Sequence, residues 1–173
     1  MIQTREFYVV LDSRNRDRSI YPSTSQFQVK TTPNQYFQGA FIGRSFKNVE
    51  SIELIDAIFP NTNNVTNQMY LYLCIPEVDG VMESTNPIGS RALAKLVPSQ
   101  LIGNFIYVTY GNQLHPIKYY QSAGARIDQL TVEFRRPDGS LFDFGTDTAA
   151  GTEPNPLVQT SITLRIVTRC DGI

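Results

Sequence analysis

The single histidine, His115, precedes Pro116 in a turn-like stretch, and any hydrolytic triad in this chain would have to be built around it. An activated serine or cysteine needs the imidazole beside it and an acid behind it. Neither a Gly-x-Ser-x-Gly elbow nor a reactive-cysteine context occurs. His115 therefore reads as a surface or turn residue. One histidine and two cysteines, Cys74 and Cys170, also fall short of the paired ligands of a zinc site. Neither a phosphate-cradling Gly-x-x-x-x-Gly-Lys nor a dinucleotide fingerprint is found, so no catalytic residue, metal or cofactor is expected.

Oxygen-bearing side chains recur at Asp12, Asn15 and Asp17, the kind of spacing a hard calcium ion needs. The run lacks the glycine and final glutamate of an EF-hand, and Arg14, Arg16 and Arg18 would repel the ion, so an ion-paired loop is the better reading. Those arginines could grip phosphate, but Asp12 and Asp17 neutralise much of their field and no aromatics interleave with them. That argues against nucleic acid. Asp138, Asp143, Asp147 and Glu153 could supply the carboxylate pair of a glycosidase, yet they flank turns, where such residues serve the backbone. Tyr36, Phe37, Tyr119 and Tyr120 carry two readings: filling of the core or its rim, or a protein or sugar interface.

A chain of 173 residues fits one domain over residues 1–173 and buries roughly 70% of its unfolded surface. Its net charge of -1 arises from 15 basic and 16 acidic residues scattered along the chain, so bulk charge does not select phosphate or membrane partners. Cys74 lies in the apolar run Leu71–Ile75 and reads as a small buried hydrophobe in a reducing compartment. Charges at Arg5 and Glu6 interrupt any secretory leader, and no apolar run is long enough to cross a bilayer as a helix. Assembly in the cytosol is the expectation.

The elements that must position these residues are strands. Phe7, Val9 and Leu11 alternate with Glu6, Tyr8, Val10 and Asp12, and the polar run Asp12 to Ser19 then belongs in water or against another chain. Phe27 and Val29 mark a second strand, and Thr32-Pro33-Asn34 a turn into an aromatic stretch. Val49 to Phe59 fits a helix face too, but its β-branched content and the stop at Pro60-Asn61 favour a strand with a bulge near Asp56. Tyr70–Ile75 and Phe105–Tyr110 follow, with Ile117–Tyr120 as the expected partner of the latter through Gly111-Asn112. Leu130–Arg135 alternates cleanly and turns at Pro137-Asp138-Gly139 into Leu141–Phe144, while Thr160–Arg169 forms the last strand. Only Arg91–Val97 suggests a short helix, and Gly145–Pro156 reads as an exposed loop. The tally predicts an all-β, antiparallel β-sandwich, a single jelly roll of about eight strands.

Three segments carry a family resemblance. Asp12-Ser13-Arg14 through Asp17-Arg18 with Tyr21-Pro22 and Phe27-Gln28-Val29, then Val49 through Asn61, then Ile127–Val132 with Pro137-Asp138-Gly139, resemble single jelly-roll penton and minor capsid proteins of large double-stranded DNA viruses. The resemblance implies a structural virion protein without enzymatic activity, made and assembled in the host cytoplasm. Its partners would be itself, as a homopentamer at a five-fold vertex, the major capsid protein, and other minor capsid proteins. A minor or cement protein between or beneath capsomers, and a carbohydrate- or receptor-binding jelly roll, are the alternatives. A closed ring needs two different complementary patches, and the arginine loop with the acidic stretch Asp143 to Glu153 is the candidate pair.

Overall fold

The computed structural model describes residues 3–31, 40–78, 80–110, 115–121 and 124–170. They contain ten strands: β1 (Thr4–Asp12), β2 (Gln26–Lys30), β3 (Val49–Pro60), β4 (Leu71–Cys74), β5 (Ala94–Leu96), β6 (Leu101–Ile102), β7 (Phe105–Thr109), β8 (Ile117–Tyr119), β9 (Gln129–Arg135) and β10 (Ser161–Arg169). One sheet runs β1-β10-β3-β7-β6, with β8 also on β3, and the other runs β2-β9-β4-β5. All pairings between these strands are antiparallel. The protein is all-β, and the two sheets face each other across one core.

The pairing is nested. β1 binds β10, β2 binds β9, β3 binds β7 and β8, and β4 binds β5, so the chain behaves as one long antiparallel ribbon folded back on itself. The contacts β10 to β3 and β9 to β4 then join successive turns of that ribbon into sheets.

Period-two patterning puts the apolar residues inside. On β10, Ile162, Leu164 and Ile166 are fully buried while the intervening Thr163, Arg165 and Val167 are only partly so. Phe59 from the first sheet meets Phe134 of the second at 5.9 Å, and Phe144 touches both, at 5.8 and 5.5 Å. β3 is a strand throughout, and its bulge is real. Thr163 faces Asp56 while Leu164 faces Leu54, leaving Ile55 as the extra residue. That insertion lets both Leu54 and Ala57 reach the core, and it turns Asp56 outward.

Three expectations need correcting. Arg91–Val97 is not helical: a 3-10 turn at Gly89–Arg91 leads into β5, because Ala94 and Leu96 are buried and Lys95 is exposed, a period of two satisfied by β4. β8 pairs with the Ser51–Glu53 portion of β3 rather than with β7, which occupies Asp56–Pro60. The twelve residues of β3 are long enough to carry both short partners end to end. Leu141–Phe144 forms only a bridge from Leu141 to Arg135 before leaving the sheet, so that Phe142 and Phe144 plug the core. The turn before it does close at Gly139, whose φ of 89° suits glycine. The turns at Thr32-Pro33-Asn34 and Gly111-Asn112 lie outside the described residues.

Candidate interaction surface

The polar run after β1 is not free in solvent. Asp12 caps the turn Ser13–Asn15, and the chain then drives Arg16 inward until it is 4% exposed. All five donors of its guanidinium are satisfied. Nε donates to the Tyr21 carbonyl at 2.8 Å, Nη1 to the Ser13 carbonyl at 2.9 Å and Gln159 Oε1 at 3.1 Å, and Nη2 to the Pro22 carbonyl at 2.9 Å and Asp147 Oδ2 at 2.8 Å. Burial lowers the Arg16 pKa from its ordinary value, with the Asp147 carboxylate acting in the opposite direction.

Asp147 is held just as firmly, with a side chain 3% exposed. Burial works against its charge, but donors from Gln159, the Asn155 amide, Arg16 and the Thr148 amide outweigh it and hold the carboxyl at about 2. Arg18 adds a second tie by donating to Thr148 Oγ1 at 2.9 Å and to the Thr152 carbonyl. The arginine loop and the acidic loop, expected to meet across two subunits, meet within one. Arg16 and Asp147 are therefore withdrawn from any intermolecular contact that this fold makes. Arg14, Asp143 and Glu153 remain exposed, with the Asp143 carboxylate accepting from the Gly145 amide at 2.8 Å.

His115 is likewise not a plain turn residue. Its Nδ1 lies 3.2 Å from Glu53 Oε1, on a carboxylate only 5% exposed, and Arg165 Nη2 lies 2.5 Å from Glu53 Oε2. Burial opposes the Arg165 charge, but Glu53 and Glu6 raise its pKa above the ordinary value. Among the described residues, no group of three His, Cys, Asp or Glu is placed to hold a metal ion.

The outward face of the first sheet exposes apolar side chains toward its edges, with charged and polar residues between them. On that face Tyr8 is 64% and Val10 63% exposed on β1, Ile102 is 60% exposed on β6, and Tyr119 is 66% exposed on β8, whereas Leu101, opposite the buried Ile106, is on the inner side of the sheet and exposed only because β6 is its edge. Cross-strand register ties these positions into rows: Tyr8 opposite Arg165 and Glu53, Val10 opposite Thr163 and Asp56. Tyr120 is partly buried and packs against the core, while Tyr119 is exposed. Tyr36 and Phe37 lie outside the described residues. β6 escaped the sequence reading, although Gly103-Asn104 between Ile102 and Phe105 is a two-residue hairpin signal and Gly103 takes a φ of 58°.

The second sheet keeps a covered outer face. The segment after β4 folds over Tyr72 and Cys74, with Ala92, Met82 and Ile88 packed on them, and leaves a cleft of about 500 Å³ lined by Cys74, Ile88, Arg91, Glu133 and Arg135. Arg135 and Glu133 pair there at 2.7 Å. Burial pushes the Cys74 thiol up to about 11, so it is a packed thiol and not a nucleophile. Among the described residues no helix is long and apolar enough to cross a membrane. Compared with known proteins, the chain matches no protein-family model, and no curated protein resembles it at a significant level.

Proposed function

We propose that the protein is a structural virion protein without catalytic activity, a single jelly-roll subunit that builds a five-fold vertex by packing against copies of itself and against the major capsid protein. The observation that carries this reading is the nested ribbon. Set aside the two-residue β6 and the short β8, and eight strands remain in two sheets of four, β1-β10-β3-β7 and β2-β9-β4-β5. That order supports reading the ribbon as two Greek keys wound into a jelly roll, the fold that the resembling segments imply.

The lateral contact is assigned to the outward face of the first sheet. Solvent-facing Tyr8 and Val10 at one edge of that face and Ile102 at the other are apolar surface that a ring neighbour on each side would cover. A neighbour's different surface would cover them, as a closed ring requires. Assembly in the host cytoplasm and residence in the virion follow from this role.

Light scattering and co-purification with the major capsid protein test the proposal. Wild type is expected to form a closed oligomer alone or on the capsid protein, and Val10→Asp with Ile102→Asp is expected to abolish it while leaving a folded monomer. A wild-type chain that stays monomeric at high concentration and also fails to bind capsid protein would overturn the vertex reading. Its copy number in a purified particle, relative to the major capsid protein, separates a vertex protein from a more abundant cementing one.

A further inference from the structure

Four of the fifteen cations of this near-neutral chain, scattered in sequence, are gathered in space. β1 begins where β10 ends, Thr4 facing Arg169 and Arg5 facing Thr168, and the segment Arg44–Asn48 packs beside them through Phe46, whose ring meets Phe7 at 5.6 Å. The result is a groove of about 340 Å³ at one end of the sandwich, lined by Arg5, Arg44, Lys47 and Arg169. Arg5, Arg44 and Lys47 are exposed, and among the described residues none of the three forms an ion pair. Glu50 is the carboxylate that reaches the group, 3.3 Å from Arg169 Nε, and Arg126 at the same end is already paired with Asp128 at 2.6 Å. Asp171 follows in sequence and lies outside the described residues.

We propose that this groove binds the sugar-phosphate backbone of single-stranded nucleic acid without reading its sequence. Three of its four cations are arginines, whose planar forks match phosphate oxygens. Arg44 is held in place by stacking 4.7 Å from the centre of the Phe7 ring, which leaves its outward donors for a ligand. Two exposed rings stand at the same end and can stack bases. Phe41, 55% exposed, is three residues before Arg44 and bridges Lys30. Tyr119, 66% exposed, adjoins Tyr120, whose amide donates to the carbonyl of Glu50. A bilayer is flat and does not enter a groove, and an acidic peptide has no use for the ring faces. The inference stands on charge placement and does not rest on the capsid role.

Fluorescence anisotropy with a labelled oligothymidylate of about 20 nucleotides tests it, read as affinity against salt from about 50 to 200 mM. Four contacts predict a slope of log affinity on log salt of roughly −2 to −3, at about −0.7 per phosphate on a single strand. The double variant Arg44→Gln/Lys47→Gln, both positions on the surface, is expected to lose roughly tenfold or more in affinity at the low-salt end and to flatten the slope by about 1.4. Lys95→Gln, on the second sheet, is expected to change neither. No binding at low salt, equal binding by the double variant, or equal competition by polyglutamate or by phosphatidylserine vesicles at matched charge would overturn the proposal.

Discussion

Replacing Asp147 by asparagine keeps the shape of the side chain, removes its charge, and leaves a buried guanidinium facing a neutral amide. Arg16 retains its three backbone carbonyls and Gln159, so the loss is one charged contact and not the whole cage. Breaking a buried ion pair from one side costs about 3–5 kcal/mol, and the retained acceptors put this case near the lower figure, about 3 kcal/mol at neutral pH. The pH dependence follows from the carboxyl itself. It sits at about 2 in the fold against 3.8 in an open chain, a difference worth roughly 2 kcal/mol. Because the folded value is depressed, that stabilisation is complete above the unfolded value and is lost as the pH falls through about 4 toward 2. Urea denaturation of both proteins from pH 7 to pH 2 measures it, since every other titration cancels in the difference. The gap between wild type and Asp147→Asn is expected to be about 3 kcal/mol at pH 7 and to shrink by roughly 2 kcal/mol by pH 2. A gap below about 1 kcal/mol at neutral pH, or one that does not change with pH, would refute the reasoning.

Two further outcomes are expected. Phe144→Ala, which removes a ring packed on Phe59, Phe134 and Phe142 at the meeting of the two sheets, should destabilise the fold by about 3–5 kcal/mol in the same assay. Iodoacetamide at pH 8 should modify the partly exposed Cys170 well before Cys74, whose thiol burial holds at about 11, and peptide mass mapping over time reads the order directly.

What was legible in the sequence was whatever depends on neighbours along the chain. The alternation of Phe7, Val9 and Leu11, the bulge beside Asp56 and the turn at Gly139 are local properties, and each is found where the pattern puts it. β6 was missed because two residues are too few to show a period. β8 was assigned to the wrong neighbour because adjacency in sequence was taken for adjacency in the sheet. The Arg16 cage was misread for a different reason. Its carboxylate lies 131 positions away, so the run Asp12–Ser19 looks solvated until β1 and β10 pair and bring Ser13 to Gln159. A polar stretch without apolar residues can still be buried when one long side chain has every donor satisfied.

Bulk charge misleads here in the same way, and the two ends of the sandwich show why. At one end, Arg16 and Arg18 are bound by the loop carrying Asp147, Thr148 and Thr152, so basic and acidic residues cancel inside a single subunit. At the other, Arg5, Arg44 and Lys47 form no ion pair among the described residues. Between them lies the outward face of the first sheet, apolar at Tyr8, Val10 and Ile102. If that face is the lateral contact of a ring, its strands stand along the shell wall, and the basic and self-neutralised ends must point to opposite sides of it. Under both proposals together, the basic end would face the packaged genome and the Arg16 cage the outer surface. The clamp there gives its full stabilisation at neutral pH and loses it as the pH falls through about 4 toward 2, so acid loosens the loops that it ties.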